Sequence, residues 1–112
     1  EVRDVLTALN TGHDGGWATL HANSAADVPA RLAALGALAG MSEAALAAQA
    51  CAALDSVLHM RRSPSGQRWV CEVGVLTKDR GPLECAPALR VTSDGCVIKH
   101  EAWAGLAERA GL

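Results

Sequence analysis

Apolar positions in the first half of the chain recur with the period of a helix. Near the start they fall at intervals of three and four residues, which is the spacing of one buried helix face: Val2, Val5, Leu6 and Leu9. The same spacing returns over 28–39 and again over 46–54. Gly40 is placed to end the first of these two helices, and Ser42 is placed to cap the second. The pattern therefore predicts three helices before residue 55.

The second half of the chain is dominated by the two-residue period of strands. Residues 56–77 read as two strands joined by the turn sequence SPSG at 63–66, which predicts an antiparallel hairpin. A further strand is expected near 88–92, and a short helix over 101–111. Upstream, WATLHA at 17–22 also alternates and predicts a central strand. The predicted order is helix, central strand, two helices, antiparallel hairpin and terminal helix, an α/β arrangement.

The predicted central strand lacks a parallel neighbour in this order. A sheet built from strand–helix–strand units needs other strands beside it, because parallel strands are joined through crossovers. The chain also begins with Glu1 rather than with methionine. We therefore expect it to be a fragment of a longer protein.

Composition narrows the function classes. Half of the residues are hydrophobic, but there is no Phe or Tyr, so the core must be built mainly from Ala, Val and Leu. The net charge of −2 provides no basic surface for nucleic acid or anionic lipid. Four cysteines occur without a C-x-x-C pair or a histidine at zinc-ligand spacing, so scattered reduced thiols are expected, with two disulfides as the alternative. No apolar run reaches the roughly 18 residues of a membrane span.

Polar residue types are concentrated in TGHDGGWATLHANSA, residues 11–25. On the predicted strand, Thr19 and His21 share one face, and the strand ends where a helix begins. Ligands of α/β proteins bind at such strand ends, and the N–H groups of a helix start favour anions. Asn23 and Ser24 lie at this junction, although both are also ordinary helix-capping residues.

Charged residues at the start of the chain extend this group. Glu1, Arg3 and Asp4 precede the first predicted helix, and His13 follows it. A carboxylate can polarise a water molecule, whereas Arg and protonated His can bind phosphate oxygens. Zinc binding by His13 and His21 with Asp14 is the chemical alternative, but the ligand spacing does not suit one helix or hairpin.

The stretch EVRDVLTALNTGHDGGWATLHANSAADVPARLAAL closely resembles the secretion and pilus-assembly ATPases of the type II/IV superfamily. It is most similar to the tight-adherence (Flp) pilus ATPases, the CpaF-like branch. Glu1, Arg3 and Asp4 match the end of that family's Walker B motif, G-E-x-R-D. The segment from Thr11 to Asn23 matches its histidine box, T-G-H followed by T-[LV]-H-[AT]-N.

The resemblance implies roles for individual residues. Glu1 would orient or activate the attacking water, and His21 would sense the γ-phosphate. The other candidate residues would support nucleotide binding: Arg3, His13, Thr19, Asn23 and Ser24. ATP and Mg²⁺ would be held mainly from outside this chain, since the phosphate loop G-x-x-x-x-G-K-[ST] is absent from its sequence. Trp17 and Ala18 depart from the branch, which more often has Cys and Gly there.

At the level of the whole protein, the resemblance implies a hexameric ATPase that powers pilus assembly or type II/IV secretion. Residues 1–77 would be the C-terminal part of its RecA-like P-loop NTPase core, and 78–112 a C-terminal extension. It would be cytoplasmic and peripheral to the inner membrane, with membrane platform proteins as partners and no nucleic acid. The fragment alone is expected to be inactive. A non-catalytic remnant that binds subunits or the platform is the alternative.

Overall fold

The computed structural model describes Asp4, Leu6, Thr7 and residues 15–112 as a mixed α/β structure. Its strands form an antiparallel sheet in the order β1-β2-β3-β4. The elements are a 3-10 helix (Ala25–Asp27), α1 (Val28–Leu38), α2 (Glu43–Ala53), β1 (Val57–Arg62), β2 (Arg68–Thr77), β3 (Glu84–Val91), β4 (Val97–Lys99) and α3 (Trp103–Arg109). No helix among these residues is long and apolar enough to cross a bilayer.

The two central helices begin and end where the sequence predicts. Pro29 occupies the first turn of α1, where its missing N–H costs no hydrogen bond. Gly40 follows the end of α1 with φ of 77°, a conformation that glycine adopts without strain. The N–H of Ala45 donates to Ser42 Oγ over 3.1 Å and so caps α2. These observations confirm the predicted helix pair.

The predicted hairpin is formed by β1 and β2. Within its turn, the N–H of Gln67 donates to Ser63 Oγ at 3.2 Å, and Gly66 has φ of 90°. The predicted strand near 88–92 is also present, as the end of β3, and the terminal helix is α3. The short strand β4 was not predicted. Its three residues are too few to show the alternation of apolar and polar side chains that marks a strand in a sequence.

Leucines from the helices and the sheet form one core. Asp4, Leu6 and Thr7 are helical, which agrees with the first predicted helix; Val2, Val5 and Leu9 of its apolar face lie outside the described residues. The buried cluster consists of Leu6, Val28, Leu32, Leu46, Ala50 and Leu76. A Cβ at Gly36 of α1 would lie 3.1 Å from Leu46 Cδ2, so the helices approach closely at that point.

The prediction of a central strand at 17–22 is wrong. Residues 16–22 have no regular secondary structure, and each described strand pairs only with others of the antiparallel sheet. Alternation of side chains permits a strand, but a strand forms only where a neighbouring backbone accepts its hydrogen bonds. None of β1 to β4 provides that partner for 17–22.

A close contact at Gly74 joins the 3-10 helix to the sheet. A Cβ at this position of β2 would lie 2.4 Å from Cys85 Sγ and 3.8 Å from Ala25 Cβ. The strand therefore favours a residue without a side chain here, because Cys85 Sγ occupies the space of a Cβ, while Ala25 packs over the position at van der Waals distance. Ala25 is 5 % exposed, and it directly follows the polar segment. The contact thereby fixes one end of that segment.

Gly74→Ala is expected to lower the free energy of unfolding by about 1–3 kcal/mol, the usual cost of overpacking. Urea unfolding followed by circular dichroism measures it. The matched control is Gly105→Ala in α3, where a Cβ meets no heavy atom within 4 Å. This control should instead stabilise by about 0.5–1 kcal/mol, because alanine is the better helix former.

The Cys85→Ala background separates the clash from other effects of Gly74→Ala. Removing Sγ frees the space that the new methyl group needs, so the cost of Gly74→Ala should fall. An equal cost in both backgrounds would show that the close contact with Cys85 does not determine the requirement for glycine.

Candidate functional site

An open depression lies between the polar segment, α1 and β1. The segment enters after Gly15, whose φ of 80° suits glycine, and leaves into the 3-10 helix. One wall of the depression is the segment itself, from Trp17 to Asn23. The other walls come from Asp27, Ala30, Arg31 and Ala34 on the helical side and from Leu58, His59 and Met60 of β1.

Three of the predicted site residues line this depression together. Thr19, His21 and Asn23 are all exposed there. Ser24 is half-buried beside them, and its carbonyl oxygen accepts a hydrogen bond from the N–H of Asp27 at 3.2 Å. The Ser24 side chain makes no capping hydrogen bond, so the capping explanation for this residue fails. Hydroxyl, imidazole and amide groups are thus available on one open surface.

The remaining predicted site residues are Glu1, Arg3 and His13, and all three lie outside the described residues. Their convergence with His21 on one phosphate stays a prediction. Asp4, the last residue of the motif that contains Glu1 and Arg3, is described: it is exposed and helical, so it lies within the first helix rather than before it as predicted.

Arg31 is a residue of the depression that sequence reasoning missed. It is exposed on α1 and faces the same space as His21. The signal was available, because Asp27, Arg31 and Ala34 are spaced at four and three residues, the spacing of one helix face. The guanidinium adds to the imidazole and hydroxyl a permanent positive charge with a planar set of donors, which suits phosphate or carboxylate oxygens.

Large apolar side chains are uncovered around the same depression. Trp17 is 89 % exposed, and Leu58 and Met60 on the outer face of β1 are 40 % and 50 % exposed. Apolar side chains grouped beside polar ones are typical of a surface that contacts another molecule or another part of a protein. The depression therefore combines groups for an anion with an apolar contact surface.

The four cysteines are free: Cys71 is buried, Cys51 and Cys85 are half-buried, and Cys96 is exposed. Burial raises the pKa of the Cys85 thiol to about 11, and the Glu72 carboxylate raises it further in the same direction. Burial also raises the pKa of Cys51, against the opposing effect of the Lys78 ammonium. These two thiols are held protonated, so they are poor nucleophiles near neutral pH.

The sequence of the chain matches one family model and two known proteins. Residues 1–96 match the family model described as "Type II/IV secretion system protein". Two proteins named "Putative conjugal transfer protein", from the CDC 1551 / Oshkosh and ATCC 25618 / H37Rv strains of Mycobacterium tuberculosis, are each 44% identical over 104 residues. The match covers 90% of this chain but 30% of each relative, so the chain spans less than a third of their length. No solved structure matches.

Alkylation should distinguish the half-buried Cys85 from the exposed Cys96. With iodoacetamide at pH 8, peptide mass spectrometry should find Cys96 modified first and Cys85 far more slowly. The Cys85 rate should then rise about tenfold per pH unit until pH approaches 11, because only the thiolate reacts. A rate that levels off near the ordinary thiol value of 9.0 would contradict the raised pKa.

Proposed function

Because the chain belongs to the type II/IV secretion system protein family, we propose that it forms part of an ATPase that powers pilus assembly or protein secretion. The observation that carries the proposal is that the family match includes the polar segment and that His21 is exposed on it. The chain is a minor part of its relatives' length, so the activity belongs to the whole protein. The two relatives are named as putative conjugal transfer proteins, and conjugal transfer is a further transport process that such a motor would drive.

The residues of the depression fit a phosphate group. In the proposed mechanism the His21 imidazole donates a hydrogen bond to the γ-phosphate of ATP, while Thr19 and Asn23 bind neighbouring oxygens. Arg31 supplies positive charge at the same surface. Catalysis of phosphoryl transfer depends mainly on positioning and on stabilising charge, which donors of this kind provide. Mg²⁺ and most of the triphosphate would be held by residues outside this chain.

The proposal assigns the remaining residues by the resemblance to the type II/IV ATPases. Glu1 orients the attacking water, and Arg3 and His13 support nucleotide binding. Residues 1–77 contribute the C-terminal part of a RecA-like core. The protein acts as a hexamer at the cytoplasmic face of the inner membrane, on membrane platform proteins, in the manner of the Flp branch.

A non-catalytic interaction module is the second candidate. The observation that favours it is the uncovered apolar surface at Trp17, Leu58 and Met60. On this alternative the depression binds a neighbouring subunit or a platform protein and no nucleotide. ATP turnover by the complete protein distinguishes the two, because the module would show none.

His21→Ala in the complete protein is expected to lower kcat for ATP hydrolysis on the order of 10²-fold, the usual cost of losing one donor to a developing charge. The affinity for ATP should change little, because other residues hold most of the triphosphate. Steady-state turnover and equilibrium nucleotide binding measure the two effects. His100→Ala is the control, since His100 lies near α3, away from the depression, and should keep wild-type turnover. Equal kcat in the His21 variant and wild type would contradict the role of His21.

Glu1→Gln in the complete protein is expected to bind ATP and fail to hydrolyse it. The amide keeps the size of the side chain but cannot polarise the attacking water as the carboxylate does. Retention of unhydrolysed ATP after gel filtration measures the trapped state. Turnover at the wild-type rate would show that another carboxylate performs this step.

A further inference from the structure

Three potential metal ligands of different chemistry meet on the hairpin. His59 lies on β1, and Cys71 and Glu72 lie on β2. One ligand atom from each, an imidazole nitrogen, the thiol sulfur and a carboxylate oxygen, all lie within 4.8 Å of one another. His59 and Glu72 are half-buried and Cys71 is buried. The predicted phosphate chemistry assigns no role to these residues.

A β-bulge brings the three side chains together. His59 pairs with Glu72, but the next residue of β1, Met60, pairs with Val70, so Cys71 is the extra residue on β2. In a regular strand Cys71 and Glu72 would point to opposite faces. The bulge breaks that alternation and turns both toward the face of His59. No spacing rule applied to the sequence finds this group, because its geometry depends on the register of two strands.

The existing partners of these groups are weak. Cys71 Sγ donates to the carbonyl oxygen of His59 over 3.4 Å, and a thiol is a poor donor. Glu72 Oε2 lies 3.9 Å from Arg90 Nη2, and the Arg90 side chain is 55% exposed. An ion pair of this length, with one partner exposed to solvent, is weak. A cation that binds all three ligands would replace both contacts at little cost.

We propose that His59, Cys71 and Glu72 bind Zn²⁺. Zinc takes nitrogen, sulfur and oxygen ligands at four-coordinate sites, and three protein ligands leave the fourth position for water or another donor. The thiolate disfavours Mg²⁺ and Ca²⁺, which prefer oxygen ligands. On binding, the Cys71 thiol loses its proton to solvent and the sulfur bonds to the metal as the thiolate.

A metal at this position would cross-link β1 to β2 next to the depression. His59 stands between Leu58 and Met60, the two exposed apolar residues of β1 that line it. The ion would hold the edge strand in one register at the bulge and would thereby stabilise the wall opposite His21. This site does not depend on ATP hydrolysis, so the proposed function and the metal site can fail separately.

Binding of Co²⁺ and Zn²⁺ by the purified chain tests the site. Co²⁺ reports on its ligands, because a bound thiolate produces a charge-transfer absorption band in the near ultraviolet. The wild-type chain should bind one equivalent with this band, and Zn²⁺ should displace the Co²⁺. Cys71→Ser should abolish the band, whereas Cys96→Ser, which removes an exposed thiol outside the ligand group, should leave it unchanged.

His59→Ala and Glu72→Gln keep the thiol and test the other two ligands. Each should weaken Zn²⁺ binding by about 100-fold or more, which exceeds the usual effect of an outer-shell partner. Circular dichroism confirms that each variant is folded, and these two variants decide the question if Cys71→Ser unfolds. Absence of the band in wild type, its persistence in Cys71→Ser, or unchanged Zn²⁺ affinity in both other variants would overturn the proposal.

Discussion

The contact of Ala25 and Cys85 at Gly74 is the constraint on which the placement of the candidate site depends. It joins the 3-10 helix to the middle of β2: Ala25 packs there at van der Waals distance, and Cys85 Sγ occupies the space that a Cβ on Gly74 would need. The polar segment ends at this helix, so its last residues are fixed relative to the sheet. Helix α1 begins directly after this 3-10 helix, and its residue Arg31 lines the depression. This contact places the end of the polar segment and the start of α1 against the sheet.

The leucine core determines which side chains are buried and which stay exposed to bind a ligand. Leu6, Leu32, Leu46 and Leu76 are each 5 % exposed or less, and they hold the helices against one face of the sheet. Leu20 and Ala22 pack against this core on either side of His21, whose own side chain is exposed and accessible to a ligand. The Trp17 side chain, 89 % exposed, shows that the segment also has apolar surface that this chain does not bury. Both features are consistent with a site completed by other parts of a larger protein, as the proposed ATPase requires.

Local rules predicted the parts of the fold that depend on local interactions. The Ser42 cap, Gly40 and the SPSG turn each act within a few residues, and the structure has α1, α2 and the hairpin where these signals place them. The strand at 17–22 failed because strand formation needs a partner backbone, which alternation alone does not reveal. In the site, Thr19, His21 and Asn23 were predictable because they are adjacent in sequence. To predict Arg31 one must know which face of α1 points toward the depression. To predict the ligand group at Cys71 one must know the register of β1 and β2, which produces the bulge.

The central proposal is that the polar segment binds the γ-phosphate of ATP through His21 while Glu1 orients the water. The most direct test is a cryo-electron microscopy structure of the complete protein with a non-hydrolysable ATP analogue. The account predicts that the His21 imidazole lies within hydrogen-bonding distance of the γ-phosphate and that the Glu1 carboxylate faces the same group. A structure that places these two side chains on opposite faces of the molecule, or the nucleotide away from both, would contradict it.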